Sequence, residues 1–132
     1  MPEHYTRAEA EALLPRLEGM LRELQLLRDE LAEQEEQYTA LRTRVLSNGH
    51  NMQGNAQRLK MAIATMTAQI TQRIHAIAEL GVIVKDLEAG LVDFPALRGG
   101  REVYLCWRLG EDHIGWWHEV DSGFAGRQPL EE

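Results

Sequence analysis

The stretch TRAEAEALLPRLEGMLRELQLLRDELAEQEEQYTALRTRV, residues 6–45, decides the fold. Along it Ala10, Leu13, Leu17, Met20, Leu24, Leu27, Leu31, Gln34, Tyr38, Leu41 and Val45 recur at alternating spacings of three and four. That is an apolar helical seam of heptad type, interrupted once by Gln34. Thr6 followed by Glu9 has the spacing of a capping box, in which each side chain satisfies an exposed amide at a helix start. The pattern predicts a helix over about residues 7–46. Pro15 lies inside it, lacks an amide donor and crowds the carbonyl of Glu11, which predicts a kink or a break near Leu14.

Downstream, residues 47–55 (SNGHNMQGN) concentrate turn formers without periodicity and read as a loop, with His50 at its tip. Asn55 is placed to cap a second helix over about 56–80, in which Ala56, Leu59, Ile63, Met66, Ile70, Ile74 and Ile77 form the apolar stripe and Gly81 the stop. A short loop makes the return antiparallel. The first helix is acidic and the second mildly basic, so their faces are complementary. Leu14, Leu21 and Leu26 lie off the strict seam and widen the apolar face beyond one partner helix, which points to a second copy and a four-helix bundle.

Beyond Gly81 the texture changes. Val82–Val84 and Leu91–Val92 are short β-type runs flanking a turn at 86–90. The runs Glu102–Arg108 and Ile114–Val120, joined by a turn around 109–112, make a β-hairpin. Phe94, Tyr104, Trp107, Trp116, Trp117 and Phe124, six of the eight aromatics, fall here and supply a core that a segment this short otherwise lacks. The expected class is α+β, mainly α: a long antiparallel two-helix coiled hairpin over 1–80, then a small antiparallel β module over 81–132.

Composition narrows the function. The chain has 132 residues, 44% hydrophobic and 27% charged, room for one ordinary domain with a real core. A formal net charge of -7 disfavours nucleic acid, whose phosphates reward clustered Lys and Arg. Only the middle segment is basic, through Arg58, Lys60 and Arg73, which keeps nucleic-acid binding by the second helix as a weak third reading. The single cysteine, Cys106, excludes an intrachain disulfide, and neither a signal region nor an apolar membrane span is present, so a cytoplasmic location is expected.

The residues with most chemistry are Asp93, Cys106, His113, His118, Glu119 and Asp121, all types that bind divalent metals. Neighbours on a strand point to opposite faces, so His118 and Glu119 share no ion without a bulge. Cys106 and His118 face one another across the hairpin in one register and not in the next. The bland alternative is a small buried thiol and a histidine bonded within an aromatic cluster. A nucleophilic Cys106 with His118 as base conflicts with acidic surroundings. The segment 123–129 (GFAGRQP) offers glycine amides and the Arg127 fork to an anion, or else is a strap in which Phe124 plugs the core and Arg127 pairs with Asp93 or Glu119.

The phrases LVDFPA at 91–96, YLCWRLGE at 104–111, WHE at 117–119 and GFAGR at 123–127, with the start at Thr6 to Leu17, resemble an uncharacterised bacterial family, domain of unknown function family 2203. The resemblance spans nearly the whole chain and implies no activity. It singles out Asp93, Cys106, Trp107, His118, Glu119, Gly126 and Arg127. The first functional reading is a non-enzymatic homo-oligomer, a dimer through the hairpins, that serves as an interaction or binding module for a protein or small ligand. The alternative is a metal-binding protein or small metal-dependent enzyme. There Cys106 and His118 are the ligands of a divalent transition metal such as zinc, and Asp93, Trp107, Glu119 and Arg127 line the site.

Overall fold

The computed structural model describes residues 3–48 and 53–130. Two long helices, α1 (Arg7–Asn48) and α2 (Gln53–Glu79), precede strands β1 (Ile83–Asp86), β2 (Leu91–Arg98), β3 (Arg101–Arg108), β4 (Trp116–Glu119) and β5 (Gln128–Pro129), with one 3-10 turn at Phe124–Gly126. By contacts the chain forms two compact units, Met1–Arg22 with His75–Glu132, and Glu23–Ile74. The boundary runs through both helices, whereas the sequence pattern put the division at residue 80. Among the described residues no helix is long and apolar enough to cross a membrane.

The capping box forms as the sequence predicts: the Thr6 amide donates to Glu9 Oε1 (2.9 Å) and the Glu9 amide to Thr6 Oγ1 (3.1 Å). Pro15 does not break α1. Leu14, Leu17 and Leu21 are buried on both sides of it, and that burial outweighs one lost helical hydrogen bond. The loop expected at 47–55 is shorter than its composition indicates, since both helices run into it; residues 49–52, His50 included, lie outside the described residues. Asn55 is inside α2 rather than at its cap, where it accepts from Arg58 Nη2 (2.8 Å). Gly81 closes α2 with φ 84° and its amide bonded to the Ala78 carbonyl, a stop that costs any residue with a Cβ.

In the unit that holds the sheet, the five strands are antiparallel neighbours in chain order. The second strand exceeds its expected length and crosses Pro95. β1 pairs only as far as Asp93, so at Pro95 the outer side of β2 is an edge, and its carbonyl accepts the Tyr5 amide (2.7 Å). The β2–β3 connection is the pair Gly99–Gly100, with φ 59° and 78°, the left-handed pair of a tight hairpin turn that matches strand twist. The fifth strand, within the segment 123–129 that reads from sequence as an anion cradle or a strap, pairs with Trp116 and Trp117. Ile114 lies before β4, its amide donating to Glu11 Oε2 (2.9 Å) and its side chain fully buried.

Alternation divides the sheet. Val92, Phe94, Ala96, Val103, Leu105, Trp107 and Trp117 share one face and are buried with Ala10, Leu14, Leu17, Leu21, Ile77 and Leu80. Tyr5 joins this core, its ring edge-on to Phe94 at 5.3 Å and its hydroxyl donating to the Leu80 carbonyl. Gly90, at φ 70°, ends the turn between β1 and β2 where a Cβ would lie 2.4 Å from Leu109 Cβ. Gly90→Ala is therefore expected to cost more than about 2 kcal/mol, from the left-handed conformation and the overlap together. Thermal melting checks this, and an unchanged midpoint would contradict it.

In the helical unit, α1 and α2 run antiparallel and Arg73 Nη2 donates to Glu23 Oε2 at 3.0 Å, the expected pairing of an acidic with a basic helix.

Candidate metal centre

The buried polar side chains of the sheet, Asp93 and His118, lie on its second face. Asp93 on β2 is the register partner of Cys106 on β3, and His118 on β4 pairs with Tyr104, two residues from Cys106. All three therefore project from the same face. The small Cys106 side chain leaves room for the imidazole to pass over β3 and reach a carboxylate two strand spacings away. His118 Nε2 lies 3.0 Å from Asp93 Oδ1. Asp93 and His118 are each 1% exposed and Cys106 is 0% exposed, so no bulk water solvates these groups.

The proton inventory is constrained. His118 Nδ1 is 2.7 Å from the Glu119 carbonyl oxygen, which only accepts, so Nδ1 carries hydrogen. That bond orients the ring and leaves Nε2 to face Asp93. Asp93 Oδ2 is buried with no hydrogen-bond partner among the described residues. An unsatisfied carboxylate oxygen this deep is costly, and an ion is one thing that would satisfy it. Burial raises the Asp93 carboxyl above its ordinary value of 3.8, and His118 and Lys85 pull it back only in part. Burial likewise pushes the Cys106 thiol up; Arg127 opposes this, while Asp93 and Glu111 add to it.

Arg127 comes from the segment that crosses this face. Its Nη2 donates to Glu111 Oε2 (3.2 Å), its guanidinium lies 4.3 Å from the Trp116 ring centroid and 4.4 Å from that of Phe124, and its Nη1 is buried without a partner among the described residues. Phe124 is thus a partly exposed platform for the arginine and not a core plug. Glu111, rather than Asp93 or Glu119, is the carboxylate that Arg127 pairs with. It also accepts the Arg108 amide at Oε1 (2.9 Å) and the Trp107 indole at its carbonyl (3.0 Å), which fixes the turn that presents it.

Of the residues singled out from sequence, the fold gathers Asp93, Cys106, His118 and Arg127. Trp107 projects to the apolar face, and the Glu119 carboxylate pairs with Arg101 (2.7 Å), touching the cluster only through its backbone carbonyl. His113 and Asp121 are exposed and apart from it. Sequence reading missed Glu111 as the arginine's anchor and Trp116 as its platform. Trp116 was legible as the residue two before His118, hence on its face, and Glu111 through its spacing of three from Arg108 across a turn.

The ligand atoms of Asp93, Cys106 and His118 lie within 4.8 Å of one another. Two ligands about 2.0–2.3 Å from one tetrahedral ion are roughly 3.3–3.7 Å apart, so one ion fits among these three with small side-chain shifts. The chemistry fits as well. A thiolate, a carboxylate and a neutral imidazole balance a divalent charge, and the bond from Nδ1 to a carbonyl is the usual outer support of a metal-binding histidine.

A family model described as an uncharacterized conserved protein (DUF2203) matches residues 3–130. The chain belongs to the DUF2203 family. The match takes in every residue of the buried cluster and both helices of this DUF2203 protein. No curated protein and no solved structure matches it significantly.

Proposed function

We propose that this DUF2203 protein is a metal-binding module that holds one divalent transition metal, zinc by ligand type, between Asp93, Cys106 and His118. The observation that carries the reading is the buried Asp93 Oδ2, a carboxyl ligand atom with no partner among the described residues, beside a thiol and a histidine whose Nδ1 is already committed. Three protein ligands of mixed sulfur, nitrogen and oxygen type leave a fourth position open on a tetrahedral ion, as in catalytic rather than structural zinc sites. An ion there supplies Lewis acidity. The chain's own part is to hold the imidazole in one tautomer, to exclude bulk water, and to place the Arg127 cation beside Cys106.

Zinc titrated into metal-free protein against a chromophoric chelator is expected to saturate at one equivalent per chain. Cys106→Ser, a near-isosteric change that keeps the fold, is expected to weaken binding beyond the roughly 10–100-fold typical of outer-shell changes. Affinity should rise with pH, because the ion must displace the Cys106 proton, which burial makes harder to lose. Equal affinity in the parent and the serine variant would contradict the assignment.

A further inference from the structure

The helical unit Glu23–Ile74 has almost no interior. Among its described residues only Leu24 is fully buried; Leu27, Leu31, Leu59, Ile63 and Ile70 of the two stripes are partly exposed. Leu26, Met61 and Ile74 are exposed at 70%, 61% and 46%. Gln34 Oε1, on the seam, is buried with no partner among the described residues. A helix pair draws its stability from packing an apolar face, and here that face keeps some exposure along most of its length.

We propose that this unit packs against the same unit of a second copy of the chain, as an isologous four-helix bundle. This is independent of the metal reading. Charge selects a second copy over an unrelated partner. The α1 portion carries six acids against three arginines, and the α2 portion carries Arg58, Lys60 and Arg73 and no acid. In a two-fold bundle each α1 lies beside the partner's α2, so an acidic helix meets a basic one at both new contacts.

The area is also sufficient. About 22 residues per helix at ~1.5 Å rise, two helices wide at 8–10 Å spacing, give a face of roughly 600 Å² in projection. With its corrugation that approaches the ~800 Å² per partner of a standard stable interface. Polar Gln34 on such a seam selects one register and one number of helices at some cost in stability.

Light scattering and sedimentation of the full chain across micromolar concentrations are expected to give twice the 15.0 kDa chain mass. Leu26→Glu should raise the dissociation constant by at least about 10-fold, through a charge carried into an apolar interface. Leu97→Glu, an exposed site on β2, should leave the dimer intact. All three tryptophans lie in the other unit, so their fluorescence separates loss of pairing from loss of fold. A parent that sediments as one chain, or a Leu26→Glu variant that stays dimeric with unchanged affinity, would overturn the proposal.

Discussion

Removing the imidazole in His118→Ala is expected to lower the unfolding free energy of the metal-free protein by about 3–5 kcal/mol, the usual cost of stranding a buried charged partner. Asp93 would then be buried with neither carboxylate oxygen bonded, since Oδ1 has His118 as its side-chain partner and Oδ2 has none among the described residues. The double variant with Asp93→Ala also removes the stranded group and should recover part of the loss, giving a coupling energy for the pair. Denaturant unfolding with a chelator present, followed by tryptophan fluorescence, measures both. A loss below about 1 kcal/mol in the single variant would mean that the pair is not buried as described.

The same carboxyl sets a pH dependence. Its folded value is raised above 3.8, so between 3.8 and that value the folded state binds a proton that the unfolded chain has released. Stability from this group is therefore fully present below 3.8 and declines as pH rises through the raised value. His118 is one of the influences holding that value down, so the alanine variant should lose more stability over the same rise and be rescued more by acid.

Trp107→Ala is the second large effect, about 3–5 kcal/mol, because the indole is among the largest fully buried side chains of the sheet unit. The ring also donates to the Glu111 carbonyl at 3.0 Å, so its loss releases the turn that presents Glu111 to Arg127. Phe is the informative comparison. Trp107→Phe keeps most of the apolar volume and removes only the donor, and should cost about 1–2 kcal/mol. Equal losses for both variants would place the ring's contribution in the hydrogen bond and not in packing.

How much was readable beforehand follows from the physics of each signal. Helical periodicity is local and repeated, so α1 and α2 were legible from spacing alone, and the capping box fixed the first boundary. The helix interior at Pro15 was not, because the burial of Leu14, Leu17 and Leu21 that overrides a helix breaker is a long-range fact. β2 was read only as Leu91–Val92 for a similar reason: Asp93 and Pro95 are poor strand residues until one knows that the outer side at Pro95 is an edge that Tyr5 caps. The candidate site was half legible. Asp93, Cys106, His118 and Arg127 were nameable from residue type, but whether they meet depends on register, and a slip of one residue turns Cys106 to the other face. Glu119 shows the converse, a carboxylate next in sequence to His118 whose side chain the strand sends to Arg101.

The most direct test of the metal centre is the transition-metal content of untagged protein as purified, measured by mass spectrometry beside the His118→Ala variant. About one divalent transition metal per chain in the parent, absent from the folded variant, is the predicted result. A parent free of metal, and still free of it after incubation with zinc and desalting, would contradict the account and leave Asp93 and His118 as a buried structural pair.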